Sequence, residues 1–212
     1  MNNLHKQPAS DLDPRHGPIK PTTSEDLSAG PGGGADPKHP HLFHLAGMAA
    51  SRFEGGELHG ASAENWKMLD GQQGSVYFAR LKPGGVREPH WHPSGWEMNF
   101  VVSGRVRWSI IGPGGTTDAF EGQAGDLVFA PQGHFHYFEN ASATEDLIVL
   151  IVFNTSASEP NDDIGLVQSL SGMPADVLSA VFGAPASAFA NLPKRKDRVV
   201  IARKSEATAP SV

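Results

Sequence analysis

The sequence predicts an all-β fold, a sandwich or barrel of short strands, and three observations carry this prediction. Short segments rich in β-branched and aromatic residues recur through the middle of the chain. Gly- and Pro-containing turn sequences separate them, such as Pro83-Gly84-Gly85 and Ser103-Gly104. Segment 105–110 alternates polar and apolar residues, as a half-buried strand does, whereas 147–153 is apolar throughout, as expected for a strand buried on both faces. Such regularly spaced short strands indicate a sandwich or barrel.

The strands follow one another between these turns. Segment 53–58 has the composition of a strand end and turn, and the following strands are predicted at 75–81, 96–102, 105–110, 116–120, 127–130, 134–138 and 147–153.

Composition divides the rest of the chain. Residues 1–40 are rich in Pro, Gly, Ser and Asp, which bury too little apolar area to offset their ordering entropy, so they are predicted to be a disordered tail or extended arm. The barrel is predicted at 41–160. Short helices are expected at 164–170, 174–182 and 185–192, the second with Pro174 at its start and Gly183 as its stop. They would form a helical clasp at 161–205, followed by a tail at 206–212.

Charge and residue usage exclude several classes of function. The 212-residue chain has a net charge of -6, which argues against nucleic-acid binding. It contains no cysteine, so disulfides and thiolate metal sites are ruled out. No apolar run approaches membrane-spanning length, and the N-terminus lacks the apolar core of a signal peptide. We therefore expect a cytoplasmic protein without membrane or nucleic-acid partners.

Three histidines and one glutamate have the spacing of metal ligands. His90 and His92 are two apart, so on a strand their side chains share a face. Glu97 follows a Pro-Ser-Gly bend that can return it to their side, and His136 comes from a separate strand. This mixed N/O set favours Mn or Fe, with Zn, Ni or Cu as less favoured alternatives. Four protein ligands leave coordination positions open, as catalytic metal sites require.

These residues lie in two segments that resemble the two cupin motifs. The positions that match the first motif are Gly84, His90, His92, Glu97 and Gly104; those that match the second are Gly125, Pro131, Gly133, His136 and Asn140. The resemblance implies a double-stranded β-helix, or jelly-roll barrel, that holds a metal inside through His90, His92, Glu97 and His136.

A closer resemblance covers about residues 53–193, which are similar to one domain of the two-domain bacterial oxalate decarboxylases. The sequence from Arg87 to His92, Arg-Glu-Pro-His-Trp-His, resembles their Arg-Glu-Leu-His-Trp-His. The resemblance implies a Mn-dependent enzyme that cleaves or oxidises a small dicarboxylate, with dioxygen bound or reduced at the metal. It also implies that Arg87 pairs with the substrate carboxylate, for which a guanidinium fork is suited. The alternative for Arg87 is a surface salt bridge with a neighbour such as Glu88.

The lid segment, residues 154–163, departs from the family pattern. In oxalate decarboxylases this segment carries a glutamate that donates a proton, but Pro160 takes that position here. Glu159 lies one residue earlier, and Asp162 and Asp163 follow. We take Arg87, Glu159 and Asp162 as candidate catalytic residues, although each lid acid is equally explained as a solvated loop charge. His134 shares its strand parity with His136 and is predicted either to face the cavity or to serve packing.

The leading functional prediction is a metal-dependent enzyme acting on a small carboxylate, of the oxalate decarboxylase or oxidase type. Other cupin chemistry in the same site, such as dioxygenation or isomerisation, is one alternative. A non-catalytic cupin that binds metal or a small ligand is another. We also expect a homodimer or higher homo-oligomer, because the apolar strand and the helices need covering.

Overall fold

The computed structural model describes residues 32–193 and 199–205. Short strands are the predominant regular structure among them: β1 Gly34–Ala35, β2 Phe43–His44, β3 Ser51–Phe53, β4 Gly56–Ala61, β5 Ser75–Leu81, β6 Gly85–Trp91, β7 Glu97–Ser103, β8 Arg105–Ile111, β9 Thr117–Gln123, β10 Leu127–Ala130, β11 Phe135–Asn140, β12 Leu147–Phe153, β13 Ile164–Gly165 and β14 Ile201–Arg203. The α-helices are α1 Glu159–Asp162, α2 Leu166–Ser171 and α3 Ala175–Phe182. The predicted all-β class is confirmed.

Two antiparallel sheets build the barrel. One has the strand order β10-β7-β12-β5-β4-β3, and the other β13-β6-β11-β8-β9, with β14 also paired to β6. Inward-facing side chains from both sheets form one hydrophobic core, in which Trp108, Val101, Leu147 and Val149 are fully buried. Residues two apart on a strand share a face, so the inward face of β7 carries Glu97 and Asn99 at one end and the core residue Val101 further along.

The predicted strands lie close to those observed. Segments 75–81, 127–130 and 147–153 coincide with β5, β10 and β12, whereas the short strand predicted at 116–120 extends to Gln123. In β12, residues 147–149 are fully buried, but Leu150 and Val152 are only half-buried. One face of this strand is thus buried in the core, and the other is only partly covered by the rest of the chain.

The C-terminal region differs from its predicted helices. Residues 164–165 form β13 on the barrel edge, so α2 begins two residues later than predicted. Pro174 is the N-cap of α3 and Gly183 its left-handed C-cap, but segment 185–192 contains only a short 3-10 turn at Ala186–Ala188. The chain then returns to the barrel, where β14 pairs with β6. This last strand was not predicted.

The predicted tail boundaries fall partly outside the described residues, which exclude 1–31, 194–198 and 206–212. Residues 34–35 of the predicted N-terminal tail form β1, which pairs with β2 in the predicted barrel segment. None of the helices in the described ranges is long and apolar enough to cross a membrane.

Replacing Gly104 with alanine is expected to destabilise the barrel. Gly104 has a φ of +86°, and an added Cβ would lie 2.6 Å from the carbonyl oxygen of Asp146. Gly125 is the matched control, since its φ is +96° but no described atom lies within 4 Å of the added Cβ. Backbone strain alone costs about 1–2 kcal/mol, so Gly125→Ala should lose about that much and Gly104→Ala clearly more. Urea unfolding measures both; equal losses would contradict the expected clash.

Candidate metal centre

The four predicted ligands meet inside the barrel. His90 lies on β6, His92 just beyond its end, Glu97 at the start of β7 and His136 on β11. β6 and β11 are neighbours with His90 opposite His136, which sets these two imidazoles side by side. Each of the four is at most 2% exposed, and one ligand atom from each lies within 4.8 Å of the others. We call these four residues the ligand tetrad.

Backbone carbonyls fix the orientation of all three imidazoles. The Nδ1 atom of His90 lies 2.7 Å from the Glu88 oxygen, that of His136 lies 2.8 Å from the His134 oxygen, and that of His92 lies 3.0 Å from the Asp162 oxygen. A carbonyl oxygen only accepts, so each Nδ1 carries the hydrogen. Each Nε2 therefore presents a lone pair to the cavity, which is the tautomer that metal ligation requires.

The tetrad has the donor set of a cation site. Within the described residues, the Nε2 atoms of His90, His92 and His136 are buried without a hydrogen-bond partner. Those of His136 and His92 nevertheless lie 3.1 and 3.4 Å from the oxygens of Glu97. Lone pairs of nitrogen and carboxylate oxygen repel at such distances unless a proton or a metal ion lies between them. Buried, unpartnered and convergent donors thus fit a divalent metal ion.

The charges of the tetrad also suit a metal. Burial, together with the charge of Arg87, lowers the pKa of His90 well below its usual value, which keeps this imidazole neutral. Burial raises the pKa of Glu97, but the neighbouring His136 and His92 outweigh this and hold it well below the usual range. Burial lowers the pKa of His92, yet Glu97 raises it overall. A proton and a metal ion would compete for that nitrogen.

Asn99 supports the tetrad and was not predicted from the sequence. It is fully buried, and its Nδ2 donates to Glu97 Oε1 at 3.0 Å. Residues 97 and 99 lie on the same face of β7 because they are two apart. The sequence signal that could have identified Asn99 was its position as the one polar residue in the apolar segment Met98 to Val102.

Arg87 lies beside the metal centre in a buried ion cluster. The residue is 1% exposed, and Nη2 donates to Glu159 Oε1 at 3.0 Å and to Asp163 Oδ2. The alternative of a surface salt bridge is therefore wrong for Arg87. Burial lowers the pKa of Arg87, but the two carboxylates outweigh it and raise that pKa overall. Within the described residues, the buried Nη1 has no hydrogen-bond partner.

The lid acids are buried, and their interpretation as solvated loop charges is wrong. Glu159, Asp162 and Asp163 are 3%, 5% and 7% exposed. Residues 159–162 of the segment form the short helix α1, and the backbone N–H of Glu159 donates to Tyr77 Oη at 2.5 Å. Carboxylate oxygens of Glu159 and Asp163 lie within 4.8 Å of a His90 nitrogen. Two acids thus lie next to the tetrad, although Pro160 occupies the position where the family carries its proton-donating glutamate.

The two lid candidates differ in their surroundings. Glu159 Oε2 is buried without a hydrogen-bond partner among the described residues. Burial raises the pKa of Glu159, the charge of Arg87 opposes this, and the charge of Asp163 adds to it, with a net increase. Asp162 Oδ2 is likewise buried without a partner in the described part of the chain, but Asp162 Oδ1 accepts from Ser94, from its N–H at 3.2 Å and from its hydroxyl. Glu159 thus lies beside His90 of the tetrad, whereas the carboxylate of Asp162 fastens α1 to Ser94.

The His134 side chain does not join the tetrad. It is half-exposed and lines a surface cavity of about 310 Å³ with Thr116, Phe129 and Pro131. The residue precedes β11, where the chain is still leaving the turn after Pro131, so strand parity does not apply to it. Its backbone carbonyl nonetheless holds His136 in place.

The sequence and the fold both place the chain in a known class. The cupin family profile matches residues 45–187. The chain therefore belongs to the cupin family.

Its relatives include oxalate decarboxylases and germin-like proteins. It is 30% identical over 199 residues to a probable oxalate decarboxylase of Arthroderma benhamiae, with 91% of this chain and 48% of the relative covered. It is 29% identical over 138 residues to a germin-like protein of Arabidopsis thaliana, with 65% and 60% covered. The chain thus spans about half the length of the oxalate decarboxylases that it matches.

The solved structure of Bacillus subtilis oxalate decarboxylase, a protein with Mn(II) centres, has the same fold. The match has a TM-score of 0.68 and 28% sequence identity, and covers 76% of this chain and 41% of that one. The resemblance drawn from the two motifs is therefore confirmed, and the tetrad is a candidate metal site of the same family.

Proposed function

We propose that this cupin is a Mn-dependent enzyme that acts on oxalate or a similar small dicarboxylate, as a decarboxylase or an oxidase. The observation that carries the proposal is the convergence of three elements in one buried place. They are the ligand tetrad, an arginine with an unused donor and an acid whose pKa is raised. The similarity to oxalate decarboxylases supports the choice of substrate, and the N/O donor set supports Mn, with Fe as the alternative.

Arg87 is the group that would bind the substrate carboxylate. Both of its contacts with the lid acids use Nη2, so Nη1 is left to donate to a carboxylate oxygen. A charge-assisted hydrogen bond in so dry a site is strong and directional. Glu159 and Asp163 in turn hold the guanidinium in place, since an arginine this deeply buried needs opposite charge around it.

Glu159 is the group that would move the proton. Decarboxylation breaks the carbon–carbon bond of oxalate, releases carbon dioxide and places one proton on the remaining carbon to give formate. The pKa of Glu159 is raised by burial, so this carboxyl takes up a proton more readily than an exposed glutamate and can deliver it to the substrate carbon. Oxidation would instead convert oxalate, dioxygen and two protons into two carbon dioxide molecules and hydrogen peroxide. A metal held by the tetrad would supply the Lewis acid and redox centre.

The activity is tested directly with oxalate. The purified chain is loaded with Mn(II) and incubated with oxalate under air, and formate, carbon dioxide and peroxide are measured. Because Glu159 lies beside the tetrad, we expect formate in excess of peroxide. Peroxide without formate would assign the chain to the oxidase type and contradict a proton-donating role for Glu159.

A loaded chain that forms neither product would rule out oxalate as its substrate. Tight binding of another ligand by that inactive chain would favour the non-catalytic alternative. Dioxygenation and isomerisation are distinguished by turnover of other small acids under the same conditions. The homo-oligomer and the cytoplasmic location stay predictions.

A further inference from the structure

The three imidazoles of the tetrad are not oriented in the same way. His90 and His136 each bond to a carbonyl two residues earlier in the sequence, Glu88 and His134. These bonds are local, so the positions of His90 and His136 are set where β6 and β11 pair. His92 bonds to the carbonyl of Asp162, which is 70 residues away at the end of α1. His92 is therefore the ligand histidine whose orientation depends on the lid segment.

Asp162 is held at that place by its own side chain. Its Oδ1 accepts from the N–H of Ser94 at 3.2 Å and from the Ser94 hydroxyl. Ser94 lies in the bend between two ligands, His92 and Glu97. The Asp162 carboxylate thus fastens α1 to the bend between His92 and Glu97, and the backbone carbonyl of Asp162 orients His92 at the start of that bend.

The helix α1 has other anchors. Glu159 contacts Arg87 and Tyr77, and Glu64 holds two further residues. Glu64 Oε1 accepts from the hydroxyl of Ser158 at 2.9 Å and from Nδ2 of Asn161 at 2.8 Å. Neither bond reaches the tetrad. Of these anchors, the Asp162–Ser94 contact is the one that transmits the position of α1 to a ligand.

We propose that Asp162 is a positioning residue of the metal centre, which couples metal binding to the ordering of the lid segment through His92. With α1 in place, the Asp162 carbonyl fixes the tautomer and direction of the His92 ring. By linkage, a metal ion that binds this ring direction must stabilise α1 to the same extent that α1 favours the metal. The inference rests on metal binding by the tetrad but not on oxalate as substrate.

Mn(II) affinity of substituted chains tests this inference. Asp162→Ala removes the anchor and leaves every ligand intact, so we expect affinity to fall about tenfold or more, as for other groups that orient metal ligands. Asp162→Asn keeps an Oδ1 acceptor for Ser94 and should restore affinity close to that of the unmodified chain. Asp126→Ala is the matched control, since it also removes an aspartate that accepts from a backbone N–H, at 2.8 Å from Gln123, but at a turn outside the tetrad.

Two further readouts separate positioning from general destabilisation. The EPR spectrum of bound Mn(II) should change in Asp162→Ala and stay unchanged in Asp126→Ala. Hydrogen exchange of the backbone amides of Glu159 and residues 161–163 should slow on Mn(II) binding in the unmodified chain, and less so in Asp162→Ala. If Asp162→Ala does not fold, Ser94→Ala removes the hydroxyl half of the anchor and should show the same trend.

The inference is overturned if Asp162→Ala binds Mn(II) as tightly as Asp126→Ala with the same EPR spectrum. It is also overturned if Asp162→Asn is as weak as Asp162→Ala, because the charge and not the anchor would then matter. An unmodified chain that binds no Mn(II) would overturn both this inference and the metal centre. Tight Mn(II) binding without oxalate turnover would contradict the proposed activity alone.

Discussion

Replacing His136 with alanine is expected to reduce the manganese retained after loading and desalting from about one ion per chain to almost none. The substitution removes one of four convergent donors and leaves Glu97 without its nearest imidazole, 3.1 Å away. Metal sites of this kind depend on the full donor set and its geometry. Elemental analysis of the desalted protein measures the result.

His134→Ala is the control for this experiment. It removes an imidazole two residues away that lies outside the tetrad, and it keeps the backbone carbonyl that orients His136. This variant should retain its manganese. Stoichiometric metal in folded His136→Ala protein would contradict the assignment of His136 as a ligand.

Replacing Glu159 with glutamine is expected to slow formate production by about 10²- to 10⁴-fold, the usual contribution of a general acid. Glutamine keeps the size of the side chain and an oxygen that can accept from Arg87, but its amide is too weak an acid to deliver a proton. The measurement is the initial rate of formate release by Mn-loaded protein, with the metal content of each variant determined in parallel. The expected result is a lower rate at unchanged metal content.

Asp118→Asn serves as the matched control for Glu159→Gln. Asp118 is an exposed residue of β9 outside the metal centre, and its neutralisation should leave the rate unchanged. If Glu159→Gln keeps the rate of the unmodified chain while Asp163→Asn loses it, then the proton donor is Asp163. That outcome would contradict the role given to Glu159.

The tetrad and the barrel could be predicted because their signals are local. His90 and His92 share a strand face through their spacing alone, and the Gly-rich turns mark where strands end. The limits of strand β12 were predicted correctly because a seven-residue apolar run is typical of a buried strand. The motif spacing assigned His136, from a separate strand, to the same site as His90, and the register of β6 and β11 sets the two residues opposite each other.

The lid could not be predicted in the same way. The sequence from 154 to 163 is polar, and polarity alone indicates an exposed loop. Its acids are buried because groups distant in the sequence form hydrogen bonds with them. Arg87 lies 72 residues before Glu159, and Ser94 lies 68 residues before Asp162. Local composition carries no information on such partners. The strand β14 was missed for a similar reason. It has only three residues, and its pairing partner β6 lies more than 100 residues earlier in the sequence.

Anomalous diffraction at the manganese edge, from crystals of the chain loaded with Mn(II), tests the central claim most directly. We predict one strong peak within bonding distance of the Nε2 atoms of His90, His92 and His136 and of the Glu97 carboxylate. Absence of a peak among these four side chains, with manganese bound instead at other histidines such as His39 or His41, would contradict the account.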